Sequence, residues 1–227
     1  MRGHGPVVKW QNTPFASGRR EFDSRQVHQL IIDDMENIYE QLEIPEHDRH
    51  TSISKAKAEF IFDFLKDKPI SKTLETGFAY GCSAAHIISA TKKEHIAIDP
   101  YENGRCNLGL SNIKKLGLEK FLRFIELPSQ IALPNLLQEN FKIDFGFIDG
   151  GHKFDNIFID WFFIDVLLNK NGYIMFDDMW LDSTKAAASF IGNNRKDYQE
   201  IKTPIENIYL IQKTGEDKRD WSHFEKF

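Results

Sequence analysis

Cysteine is nearly missing. Cys82 and Cys106 are the two in 227 residues, so no disulfide framework holds this chain, and a reducing cytosol is the expected compartment. A basic excess is missing too: the formal net charge is −5 and the pI is near 5.9, which argues against a nucleic-acid-binding face. Long apolar runs are absent. The most apolar stretch, "IFIDWFFIDVLL", is broken by Asp160 and Asp165 and is too short to span a bilayer. The opening "MRGHGPVVKW" lacks the apolar centre of a signal peptide, and neither internal repeats nor low-complexity tracts occur. What is there, 41% hydrophobic residues with charges of both signs interspersed, predicts a soluble protein with one core.

The pattern along the chain changes twice. Residues 1–20 hold glycine, proline and charge without periodicity, as an arm or a disordered lead would. From Asp23 to Leu42, apolar residues such as Val27, Leu30, Ile31, Met35 and Ile38 recur at helical spacing, and Pro45 ends that helix. A second helix follows the hydroxyl-rich "HTSIS" and carries Phe60, Ile61, Phe64 and Leu65. Short apolar strands then alternate with helical segments. "KTLET", "HIAID", "LRFIEL", "IDFGFID" and "YIMFD" are the strands; "SAAHIISAT", "NLGLSNIKKLG", "SQIALPNLLQEN" and residues 156–168 lie between them. Such alternation predicts a parallel sheet with helices on both faces. "YQEIK" and "NIYLIQK" are separated only by "TPIE", too little for a crossover helix, and are expected to pair antiparallel. The tail "TGEDKRDWSHFEKF" is polar with two aromatic anchors and is expected to pack on the body. The organisation predicted is an arm and helix over residues 1–50, a lid or a contact between copies, and a main domain over 51–227.

The first strand runs into "ETGFAYG". Glycines at a strand end permit a tight turn and close approach of a ligand to the backbone. The first glycine of a dinucleotide fingerprint is replaced by Glu75, an acid that repels a pyrophosphate but suits a cationic ligand with amine and hydroxyl donors. S-adenosylmethionine meets that description. The plainer alternative is that Gly77 and Gly81 only shape the turn. Asp99 closes the next strand, 22 residues beyond Gly77, where a carboxylate can accept both ribose hydroxyls or can simply cap before Pro100.

The fourth and fifth strands end in "FIDGGHKF" and "MFDDMW". If those strands are neighbours, Asp149, Asp177 and Asp178 converge, and clustered carboxylates need a cation. All-oxygen ligation favours Mg²⁺ or another hard divalent ion, which would grip an acceptor hydroxyl and lower its pKa. Helix capping explains one of these acids but not all three. His152 is a candidate base for the hydroxyl proton, or an ordinary structural hydrogen-bonder. Trp180 either walls the acceptor pocket or packs.

Together these residues resemble a class I S-adenosylmethionine-dependent methyltransferase, and more narrowly the metal-dependent O-methyltransferases typified by catechol O-methyltransferase and bacterial macrolide-sugar O-methyltransferases. The resemblance covers most of Ser52 to Lys213. It implies a Rossmann-like, seven-stranded, mostly parallel α/β sheet with an antiparallel last strand and extra N-terminal helices. "ETGFAYGCS" resembles the first motif of the family, which implies that Glu75, Thr76, Gly77, Tyr80, Gly81 and Ser83 surround the methionine end of the cofactor. "SISKAKAEF" resembles the segment that closes over it, which places Ile53 there. Asp99 and Pro100 fall at the ribose, and Ser129 and Gln130 in "LPSQIALPNLL" at the adenine. Asp149, which also faces the cofactor, falls with Asp177 and Asp178 on the three metal-ligand positions, and the interval of 28 from Asp149 to Asp177 is similar to that of the catechol enzymes. Asp178 resembles the sugar enzymes, since the catechol enzymes carry asparagine there. Their base is a lysine where this chain has His152, and the sugar enzymes' base is an aspartate where it has Gly151.

The function expected is Mg²⁺-assisted O-methylation of a small-molecule or saccharide hydroxyl, with a phenol as second acceptor, without nucleic acid or membrane, in a chain able to form homo-oligomers. Two rivals stand beside it: an S-adenosylmethionine-binding protein without turnover, and a nicotinamide-dependent oxidoreductase, which Glu75 and the missing third glycine disfavour.

Overall fold

Alternation along the central strands sets the layers. In a computed structural model, which describes residues 38–227, β4 (Ile143–Ile148) turns Phe145 and Phe147 to one face and Ile148 to the other. β5 (Leu168–Phe176) does the same with Met175 against Ile174 and Phe176, and β7 (Tyr209–Lys213) with Leu210 against Ile211. This period of two is what a sheet covered on both faces requires. On the first face lie α1 (Lys55–Leu65) and α2 (Cys82–Thr91), which contribute Ala58, Ile61, Leu65 and Ile87. α3 (Leu108–Lys115) adds Ile113 to a cluster there with Ala97. On the opposite face α4 (Ser129–Gln138), α5 (Phe154–Leu167) and α6 (Asp182–Asn194) bring Leu133, Leu136, Trp161, Ile164 and Ile191 onto Leu74, Ile96 and Ile174.

β1 (Lys72–Thr76), β2 (Glu94–Ile98), β3 (Leu122–Ile125) and β6 (Tyr198–Ile201) complete a seven-stranded sheet of order β3-β2-β1-β4-β5-β7-β6. The pairs from β3 to β5 are parallel, whereas β7 runs antiparallel to both β5 and β6. The sheet predicted from the sequence is therefore present, with its last strand reversed and inserted beside β5.

Three segments differ from the sequence reading. No element is predicted over Asp182–Asn194, yet α6 forms there: its inner face is built from Ala187, Ala188 and Ile191, too small and sparse to give an apolar stripe. β5 starts five residues before "YIMFD", in the polar run "LNKNG", with a register irregularity against β4 and Asn171 at φ 68°. Trp221 is no anchor, being 98% exposed. The tail is held by backbone bonds between Glu225 and the Asn194 side chain and by Phe227 against Phe190. Most of the helix predicted over Asp23–Leu42 lies outside the described residues. Its end, 38–41, is helical, and Ile38 is buried with Phe62 and Ala85. Among the described residues no helix is long and apolar enough to cross a membrane.

At the far side of the sheet one guanidinium ties four elements together. Arg195, after α6, donates to both oxygens of Asp165 on α5, at 2.7 and 3.0 Å, and to both oxygens of Asp197. Tyr198 of β6 and Lys213 of β7 also reach Asp165. Removing one partner leaves buried charges uncompensated. Arg195→Ala is expected to lower unfolding free energy by about 3–5 kcal/mol in urea denaturation.

Candidate cofactor and acceptor site

The parallel ladders run one residue past the strands, and that extra residue is where the site begins. The Gly77 N–H bonds the Ile98 carbonyl at 2.9 Å, the Asp99 N–H that of Ile125 at 3.2 Å, the Asp149 N–H that of Thr76 at 2.9 Å and the Asp177 N–H that of Ile148 at 3.0 Å. Gly77, Asp99, Asp149 and Asp177 thereby line up along the carboxyl edge. The strand order reverses between β1 and β4, and open α/β sheets bind ligands in the crevice such a reversal leaves. A cavity of about 1040 Å³ lies there.

The cavity gathers most of the residues singled out in the sequence. Thr76 and Gly77 line it from the end of β1, Ser83 from the start of α2, Asp99 and Pro100 from the turn after β2, and Ser129 and Gln130 from the start of α4. Ile53 closes it from the segment before α1, its carbonyl held by the Tyr39 hydroxyl at 3.3 Å. Asp149, His152, Asp177 and Asp178 stand at one end, together with Trp180. Gly77 has φ +86°, and a Cβ there would lie 2.0 Å from the Asp149 carbonyl oxygen, so no side chain fits.

Glu75, Tyr80 and Gly81 lie behind the wall. Gly81, at φ 73°, sets the N-terminal end of α2. The Tyr80 hydroxyl is donated to Asp48 in a short bond. Glu75 is fully buried, and neither carboxylate oxygen has a hydrogen-bond partner in the protein. His95 Nε2 stands 3.4 Å away, and the other ring nitrogen meets the Thr73 hydroxyl at 2.8 Å. Cys82, which lines the cavity, has its thiol pushed up by burial and then by the Glu75 charge. Asp99 combines both roles offered for it: it lines the cavity and also fixes the turn, accepting from Phe78 and Ala79 N–H at 3.0 Å and from Tyr101 N–H at 2.8 Å. Arg105, not foreseen from the sequence, stands 3.4 Å from the same carboxylate.

At the acidic end the three aspartates converge, and Asp177 and Asp178 have different side-chain partners. Burial, then Asp177 and Asp178, push the Asp149 carboxyl well above the usual carboxylate range. Asp177 accepts from the Asp178 N–H at 2.7 Å and, on the same oxygen, from Lys57 of α1. Asp178, at φ 57°, meets His152 Nε2 at 2.9 Å and accepts from the Trp180 indole at 2.9 Å. Among the described residues, the group able to surround an ion is Asp149, His152 and Asp178, with ligand atoms within 4.8 Å of one another. Asp177 stands outside that group, and His152 inside it. Lys57 is the residue that pattern reading passes over: in "SISKAKAEF" it looks like any surface lysine in a first helical turn.

A glycine turn, an acid after β2 and a crevice at the switch point are the features by which doubly wound α/β sheets receive nucleoside cofactors. Residues 74–179 match the family described as a methyltransferase domain. The SAH-bound methyltransferase PaMTH1 of Podospora anserina is 16% identical, with a TM-score of 0.64 over 91% of this chain and 100% of that one. An O-methyltransferase from Bacillus cereus in complex with SAH is 14% identical, with a TM-score of 0.61 over 86% and 94%. TomG of Streptomyces achromogenes, an O-methyltransferase involved in tomaymycin synthesis and solved with SAM, is 15% identical, with a TM-score of 0.60 over 87% and 99%. No curated protein sequence matches. Residues 74–179 of this chain thus match a methyltransferase domain, and the sheet around them has the class I S-adenosylmethionine-dependent methyltransferase fold.

One buried acid below the site titrates near neutrality. Asp160 of α5 is 1% exposed, and a Cβ on Gly150 would lie 3.3 Å from its carboxylate. Burial pushes it up to about 6, only partly offset by the Ser129 and Thr76 hydroxyls. A carboxyl raised in the folded state favours folding at low pH and loses that contribution as pH rises from its ordinary value through about 6. Asp160→Asn is expected to remove a fall of up to about 3 kcal/mol in stability between pH 4 and 7, read from urea denaturation at both pH values. Gly77→Ala is expected to abolish cofactor binding, through backbone collision with Asp149.

Proposed function

We propose that this chain transfers the methyl group of S-adenosylmethionine to a hydroxyl oxygen of a small molecule, with a saccharide as first choice and a phenol as second. The observation that carries the reading is that one cavity receives the Gly77 turn, Asp99 and the acidic end, all within the span matched as a methyltransferase domain. The residues suit the cofactor. Glu75 is a buried acid whose oxygens no protein donor satisfies, beneath a floor that a Cβ at Gly77 would obstruct. A ligand with an ammonium, a sulfonium and hydroxyl donors complements carboxylates at both ends of the cavity. That the Bacillus cereus and Streptomyces achromogenes proteins are O-methyltransferases supports oxygen as the acceptor atom.

Bound S-adenosylmethionine supplies an electrophilic methyl carbon on a sulfonium. Gly77 lets the backbone approach it, and Ile53 and the segment before α1 exclude water from above. Trp180 and Tyr101 offer exposed rings at the cavity for the apolar face of a sugar or phenol. His152, steadied by Asp178 at Nε2, takes the hydroxyl proton through its other nitrogen as the oxygen bonds to the methyl carbon and the carbon–sulfur bond breaks. A divalent cation, Mg²⁺ by the hardness of the carboxylate donors, would be held by Asp149 and Asp178 and would supply Lewis-acid polarisation of the hydroxyl. Most of the acceleration comes from holding two reactants in line.

Calorimetric titration of S-adenosylhomocysteine tests the reading. Wild type is expected to bind, and Glu75→Ala to bind at least about tenfold more weakly, the loss of ~1.4 kcal/mol or more. Absence of binding by folded wild-type protein would refute the cofactor assignment.

A further inference from the structure

We propose that Lys57 is a resident cation at the acceptor end: its ammonium occupies Asp177 and part of the charge position of a divalent ion, so that an entering ion meets a weakened site. The inference deepens the function proposed above and rests on that reading for what the acidic end does.

Lys57 is delivered rigidly. It lies in the first turn of α1, where the Ser54 hydroxyl caps its backbone N–H and Ala58, the next residue, is fully buried. Its side chain is 16% exposed and that of Asp177 is 5% exposed, so the pair is largely removed from water. Lys57, Asp149 and Asp177 line the same cavity, so the lysine charge stands at the acidic end rather than on the outer surface. It also takes the Asp177 oxygen that already accepts the Asp178 N–H. What is left for an ion is Asp149, Asp178 and His152, and His152 is itself paired with Asp178. An ion entering with Lys57 in place gains two carboxylates rather than three and sits beside a fixed positive charge. Removing the ammonium reverses both effects, because a buried carboxylate stripped of its partner demands another cation. The hydroxyl acceptor then faces a site that either lysine or a metal can neutralise, with lysine the occupant.

Mn²⁺ titration followed by electron paramagnetic resonance of the free ion tests this directly, without an acceptor and without turnover. Lys57→Met and, as a second variant, Lys57→Gln are expected to bind Mn²⁺ at least tenfold more tightly than wild type. Adding Asp177→Asn to Lys57→Met should return the affinity to the wild-type level. Wild-type binding as tight as that of both variants, or no gain in either, overturns the proposal, as does a double variant that keeps the gain. S-adenosylhomocysteine titration of the same samples separates the two readings. Failure of wild type to bind it would sink the methyltransferase assignment, whereas the competition between Lys57 and the ion stands or falls on Mn²⁺ alone.

Discussion

The site depends on a backbone fact: the parallel ladders of β1, β2, β4 and β5 do not stop where the strands stop. One more N–H from each of Gly77, Asp99, Asp149 and Asp177 bonds the neighbouring strand's last carbonyl. These four positions are locked in register by the sheet before any side chain interacts. A cavity floor made this way inherits the rigidity of the central strands, whose Leu74, Phe145 and Ile174 are fully buried. Catalysis by positioning needs that kind of support, because the reacting atoms must be held within fractions of an ångström while the loops above them admit substrate.

The same alignment creates the electrostatic problem of the site. Strand register sets Asp149 beside Asp177, and burial disfavours charge on both. Three basic groups answer it at different points: Lys57 on Asp177, His152 on Asp178 and Arg105 on Asp99. Each comes from a different part of the chain, from α1, from the turn after β4 and from the segment after β2. The acids belong to the sheet edge, whereas their partners belong to a helix and to turns outside the sheet. Charge compensation can therefore be altered without disturbing the frame that holds the acids.

Much of this was legible in the sequence, for physical reasons. Strands buried on both faces read as continuous apolar runs, so "HIAID", "IDFGFID" and "YIMFD" were visible, and acids closing such runs stood out. The positions of Asp99, Asp149 and Asp177 followed from the runs alone. Long-range pairings did not. Nothing in "SISKAKAEF" distinguishes Lys57 from a solvated lysine, because its partner lies 120 residues away. α6 escaped because alanines can pack a helix onto a sheet without an apolar stripe. His152 was found as a lone histidine, but its bond to Asp178 depends on how the turn after β4 is held, in part by the Ser183 hydroxyl on the His152 carbonyl.

Several local rules are broken along the carboxyl edge of the sheet. Glu75 is buried with no donor on either oxygen, Ala79 and Asp178 adopt positive φ, and Asp149 and Asp177 face each other in a partly dry pocket. Each departure carries an unfavourable energy: an unpaired buried carboxylate costs several kcal/mol, a left-handed non-glycine residue roughly 1 kcal/mol or more. By contrast, the other buried acid cluster, around Arg195, is fully paired and lies across β6 and β7, away from the cavity. A chain that pairs its acids so completely at one end of the sheet is capable of doing so at the other. Acids left without protein partners beside a cavity, in a chain that pairs its other buried acids, are what a binding site is built from.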